Sequence, residues 1–211
     1  FNMSGGTIGG AGNAANTAVN GGGVYVGSNG MFTMNAGAKI TQNTAGRFGG
    51  GVCVNGGTST MTGGEITGNS ATGQTNSIGG GVCVYSGEFT MSGGKISNNT
   101  ADTDGGGMYV NVAKDKCSMS GGEITGNKAA SGGGVYVWGG MTVSGAVKIT
   151  GNYKKDSTTK DNVYLPSKTI TVSDLAQDAR IGITTAIAPT ESTKVWFATD
   201  ATGSVDYATI F

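Results

Sequence analysis

What most limits how this chain can fold is a repeat. The block F-N-M-S-G-G-T-I at Phe1 returns as F-T-M-N-A-G-A-K-I from Phe32, S-T-M-T-G-G-E-I from Ser59 and F-T-M-S-G-G-K-I from Phe89. It returns again as C-S-M-S-G-G-E-I from Cys117 and M-T-V-S-G-A-V-K-I from Met141. Each copy is followed by an Asn, at Asn16, Asn43, Asn69, Asn99, Asn127 and Asn152, with intervals of 27, 26, 30, 28 and 25 residues. Then comes G-G-G-V-Y-V or a variant, whose first Val position falls at Val24, Val52, Val82, Met108, Val135 and Val163. Short β-prone blocks recurring with this period and punctuated by Gly mark a solenoid.

Each unit holds three strand candidates, F-T-M, (E/K)-I-T and G-V-Y-V, all too short for helices and bounded by Gly or Asn. Three strands and three corners make one coil of a right-handed parallel β-helix, here about six coils averaging ~27 residues. Equivalent residues of successive coils then stack about 4.8 Å apart, and every repeated column becomes a ladder. Period-2 alternation sends Phe1, Phe32, Phe89, Cys117 and Met141 inward, with Met3, Met34, Met61, Met91, Met119 and Val143 beside them. The Ile8-to-Ile149 column and the two Val columns complete the core. The 42 Gly among 211 residues fit this pattern alone. Collagen needs Gly at every third place with abundant Pro, and the chain has only 2 Pro. A disordered linker would lack the recurring Val, Ile and Met, and helices tolerate Gly poorly.

The Asn column is expected at a corner, in αL geometry, with its amides bonded to the coils on either side. The residue before each Ile reads Thr7, Lys39, Glu65, Lys95, Glu123, Lys148. Its sign alternates from the second coil onward, so each charge meets opposite neighbours and register is fixed. Residues 1–165 form the repeats; in 166–211 the Gly triplet disappears, and strands around Ile170, Ile181 to Ile183 and Val195 to Phe197 are expected to extend and cap the last coils.

The formal net charge is zero and there is no His, which argues against a nucleic-acid surface, and no apolar run is long enough to span a membrane. Arg47 and Arg180 are the only arginines, and the carboxylates are scattered. Asp102 and Asp104 share one loop that reads better as a turn than as a calcium loop, so neither catalytic residues nor a metal or cofactor is expected. The outward position of G-V-Y-V reads Tyr25, Cys53, Cys83, Tyr109, Tyr136, Tyr164, with Tyr85 and Trp138 two positions on. If the flanking Val face inward, these aromatics form an exposed strip suited to sugar rings or a protein partner. The plainer alternative is that Tyr is simply a good strand residue, or is covered by the loops between the Asn and the Gly triplet. The longest such loop is Ser70 to Ile78. Cys53 and Cys83 share a column in adjacent coils, close enough for a disulfide in an oxidising exterior; otherwise they are two small strand residues. Cys117 belongs to the buried Phe column.

The S-G-G-E-I-T-G-N…G-G-G-V-Y-V units resemble the β-helix repeats of large adhesin-like surface proteins of gut bacteria and, more distantly, the G-G-A-I repeats of chlamydial polymorphic outer-membrane proteins. The tail D-N-V-Y-L-P-S-K-T-I-T-V…A-R-I-G-I-T-T is similar to the closing segment of such modules. The resemblance covers essentially the whole chain and implies an extracellular, cell-surface or secreted module of a longer protein. It would act without catalysis as an adhesin or stalk on a host glycan or a host protein such as an immunoglobulin. It supplies no family-wide catalytic residues. The alternatives are a carbohydrate-active β-helix domain, since polysaccharide lyases and hydrolases share this fold, and a pure spacer.

Overall fold

The computed structural model describes residues 1–166, 170–185 and 198–200. Its strands are 2 to 10 residues long, and the sole helical element among the described residues is a 3-10 turn at Gly12–Ala14. The strands stack in three sheets, every pairing parallel and joining one coil to the next, which is a parallel β-helix. The six V-Y-V segments, from Val24–Val26 to Val163–Leu165, form one ladder. The F-T-M segments form a second. The two ladders fuse into a single sheet through the ten-residue strands Val52–Met61 and Val82–Met91. The (E/K)-I-T strands form the second sheet, from Gly6–Gly9 to Arg180–Ile181.

The third sheet departs from the sequence reading. It consists of the short strands after each Asn, Thr17–Asn20, Thr44–Phe48, Ser70–Ala71, Thr100–Ala101, Lys128–Ala129 and Tyr153–Lys154, which the sequence alone assigns to variable loops. Two residues of ordinary composition carry no periodicity, yet here their neighbours dictate their path. Ala45, Ala71, Ala101 and Ala129 are fully buried because the Gly triplet passes against this sheet from the inside. In the second coil Gly49 turns with φ of 66°, and a Cβ on Gly50 would stand 2.4 Å from the Ser70 carbonyl oxygen. A Cβ on Gly51 would meet Ile66 Cγ2 at 2.8 Å. The triplet is therefore a turn followed by two close approaches, each demanding glycine.

The apolar columns lie inside as the alternation requires. Met34, Ile40, Val52, Val54, Met61, Ile66, Phe89 and Ile96 are all at most 1% exposed, and Cys117 is buried with them. Each such side chain contributes about 1.5–3 kcal/mol on burial. Phe1 ends its column exposed, stacked on Phe32 at 5.7 Å.

The Asn column forms an unbroken ladder. The Nδ2 of Asn43, Asn69, Asn99 and Asn127 donates to Oδ1 of the next Asn at 2.9–3.0 Å, and Asn152 continues to Asn162 at 3.2 Å. The same Oδ1 atoms accept the preceding Asn backbone N–H, and each Nδ2 also reaches the carbonyl of an Ile one coil back, as Asn99 does to Ile66 at 3.0 Å. All five amides from Asn43 to Asn152 are fully buried. The αL geometry expected of these residues belongs instead to the residue before each of them, Gln42, Gly68, Asn98, Gly126 and Gly151, with φ between 55° and 69°. That residue turns the corner, leaving Asn free to point inward.

The charge column pairs as its alternation anticipates, Lys39 with Glu65 and Lys95 with Glu123, both at 3.2 Å. In the tail, Ile170–Leu175, Arg180–Ile181 and Ile183–Thr185 each add a parallel strand to the last coil, and Ala198–Asp200 adds one to Ile170–Leu175. The strand expected at Val195 to Phe197 lies outside the described residues.

Candidate functional site

The outer face of the V-Y-V ladder holds the candidate residues, and its centre departs from the expected open strip. Tyr25, Tyr85 and Trp138 are 50%, 41% and 53% exposed, but Tyr136 is only 8% exposed. Tyr109 and Tyr164 are half-buried. The cause is the coil spacing: Tyr136 stacks on Tyr109 at 5.5 Å and on Tyr164 at 5.4 Å, so the middle ring is covered on both faces. Burial first, and the nearby Asp104 charge next, push the Tyr136 phenol up to about 12. The Tyr109–Tyr136–Tyr164 stack stiffens the face more than it offers ring surface to a ligand.

Cys53 and Cys83 point away from the core, opposite each other in neighbouring strands, yet both are fully buried. Phe48 arrives from the loop side of Cys53, and Tyr85 follows two residues after Cys83. Their rings stack at 5.0 Å. Arg47 lies over the Phe48 ring, 4.5 Å from its centroid. Cys53 and Cys83 stand as free thiols in this structure. Burial pushes the Cys83 thiol up, and a hydrogen bond to Cys53 adds to it, so the Cys83 thiol is not activated.

Tyr85 owes its position to a β-bulge. Val84 pairs with Val54 and Ser86 pairs with Asn55, leaving Tyr85 unpaired and aimed outward. Beside it opens a groove of about 380 Å³ lined by Tyr85, Ser86, Glu88, Asn111, Val112 and Lys116 over a floor that includes Gly56 and Gly57. The polar groups are held in place. Ser86 Oγ donates to Asn55 Oδ1 at 2.9 Å, Asn55 Nδ2 to the Tyr25 hydroxyl at 2.8 Å, and Asn111 Nδ2 to the Tyr85 carbonyl at 3.3 Å. Lys116 is ion-paired with Glu88, which raises the lysine pKa and leaves the groove near neutral. An aromatic ring beside fixed amide, hydroxyl and ionic groups is a setting for a polyhydroxylated, uncharged ligand.

Two carboxylates on the opposite flank were not singled out from the sequence for the site. Asp161 is fully buried; its Oδ2 accepts the Gly132 N–H at 2.7 Å, while its Oδ1 has no partner among the described residues. Burial, then the charge of Asp161, holds Asp104 at about 6 beside the tyrosine stack. Asp102 is occupied structurally: Oδ1 takes the Lys155 ammonium at 2.5 Å, Oδ2 takes the Gly73 N–H at 3.0 Å, and its pKa falls accordingly. Among the described residues no three His, Cys, Asp or Glu converge on one point. The sequence reading also missed Phe48, Ser86 and Asn111. Phe48 carried a signal, an aromatic directly before a Gly triplet, whereas the bulge did not, since Val54 to Ser59 and Val84 to Phe89 are equally spaced.

Compared with known proteins, the chain matches no family model, no curated sequence and no solved structure.

Proposed function

We propose that the chain is a non-catalytic binding module of an extracellular surface protein, an adhesin or stalk, and that its ligand is a glycan on the surface to which it adheres. The observation carrying this reading is the set of exposed rings Tyr25, Tyr85 and Trp138 on one face, with a near-neutral groove of fixed polar groups beside Tyr85. Exposed rings on a rigid scaffold stack on pyranose C–H faces at little entropic cost. A glycan array probed with the purified chain tests the proposal. Specific retention that is lost in a Tyr85→Ala/Trp138→Ala double variant supports it; a blank array, or retention by the double variant, contradicts it.

One observation favours the carbohydrate-active alternative. A half-buried carboxyl held at about 6, as Asp104 is, has the acidity of a general acid. Its neighbour Asp161 is fully buried and bound to Gly132, so it offers no second accessible carboxylate of the kind glycoside hydrolysis uses. Release of reducing ends by the wild-type chain, abolished in Asp104→Asn, would establish this reading over the first.

A further inference from the structure

The positions directly after the V-Y-V strands read Asn55, Tyr85, Asn111 and Trp138 through four successive coils, an alternation of amide and aromatic along the solenoid axis. Asn55 itself pairs with Ser86 across the bulge, and hydrogen bonds fix the alignment of the other three. The Asn111 N–H donates to the Val84 carbonyl at 2.9 Å and the Trp138 N–H to the Val110 carbonyl at 2.9 Å, so each lies one rung beyond the last. Tyr85 and Trp138 are thus two coils apart, about 10 Å at the ordinary strand spacing, with Asn111 between them. Both amide ends of Asn55 are engaged, by Ser86 and Tyr25, whereas Asn111 uses only its Nδ2, leaving Oδ1 open. The window available to a ligand is Tyr85–Asn111–Trp138.

We infer that this window binds a linear, extended β-1,4-linked pyranose chain lying parallel to the solenoid axis. In such a chain each ring advances by about one strand spacing and is flipped relative to the last, so the same ring orientation recurs every second sugar. That two-ring repeat is the repeat of the window. Trp138 and the face of Tyr85 that is not stacked on Phe48 take the C–H faces of two like-oriented rings, and Asn111 Oδ1 accepts a hydroxyl of the ring between them. An α-1,4-linked chain coils and loses phase with a straight column. This inference rests on the glycan reading above and specifies its ligand.

Isothermal titration of the chain with cellohexaose, cellobiose and maltohexaose tests it. The expected result is binding of cellohexaose, at least roughly tenfold weaker binding of cellobiose, which is too short to reach both rings, and no detectable binding of maltohexaose. Tyr85→Ala and Trp138→Ala should each weaken cellohexaose binding roughly tenfold and Asn111→Ala severalfold, while Thr41→Ala on another sheet leaves it unchanged. Circular dichroism melts confirm that each variant is folded. Equal affinity for cellohexaose and maltohexaose, or cellohexaose binding indifferent to Trp138→Ala, overturns the window and leaves the glycan reading standing. No binding of any oligosaccharide here, together with a blank glycan array, removes both.

Discussion

The Asn–Gly corner and the outer V-Y-V face lie in the same coils and obey opposite rules. At the corner, five consecutive coils place a fully buried Asn at one position, each amide bonded to the coils on either side, and pack a Gly triplet close against it. On the face, the corresponding outward position changes from Tyr25 to Cys53, Cys83 and Tyr109, and the next column changes from Asn55 to Tyr85, Asn111 and Trp138. Repetition is found where a substitution would orphan buried polar groups or collide with backbone. Variation is found where side chains meet solvent or one another. Chemistry specific to this chain is therefore to be sought on the face.

The sharpest way to break that contrast is Asn99→Ala. It strips the Asn69 N–H and Nδ2 of their acceptor and the Ile66 carbonyl of a donor, all in a dry corner. Buried unsatisfied groups cost about 1–3 kcal/mol each, so a loss of about 3–5 kcal/mol is expected in urea unfolding. Asn16→Ala, at the exposed end of the ladder, should cost about 1 kcal/mol or less.

A smaller effect tests the charge column. Lys95→Glu would stand between Glu65 and Glu123 and turn two favourable neighbours into two repulsive ones. The expected cost is about 1 kcal/mol at low salt, shrinking as salt is added, because these side chains are well exposed.

A comparable effect, visible in pH, concerns Asp104. Its folded pKa of about 6 lies above its ordinary value of 3.8, so the native state holds this proton more tightly than the unfolded chain. The contribution is fully present below about 4 and is lost as pH rises through about 6, so stability falls across that window. The loss should be about 1 kcal/mol, because water reaching the half-buried carboxyl screens part of the shift. Asp104→Asn should flatten this part of the profile, leaving the opposite, acid-side loss from Asp102, whose pKa is lowered.

The corner and the core were legible in the sequence because repetition exposes them. The Ile column, the alternating Lys and Glu, and the Asn spacing each read directly as a ladder. The third sheet was not legible, since Ser70–Ala71 carries no period of its own and becomes a strand only through the Gly triplet beside it. The face was half legible. Alternation gave the outward direction of Tyr136 and Cys83, but exposure depends on the neighbours: stacking buried the first, and the second is fully buried although it points away from the core. Asp161 was hidden because its unit lacks the triplet that aligns the others, so its column could not be assigned.

The most direct test measures stability and glycan binding side by side in Asn99→Ala and in Tyr85→Ala/Trp138→Ala. The account predicts crossed results. The Asn variant loses several kcal/mol in urea unfolding yet, while folded, binds cellohexaose as the wild type does. The aromatic double variant stays within about 1 kcal/mol of wild-type stability and loses binding. A double variant that keeps its affinity, or an Asn variant of unchanged stability, would contradict it.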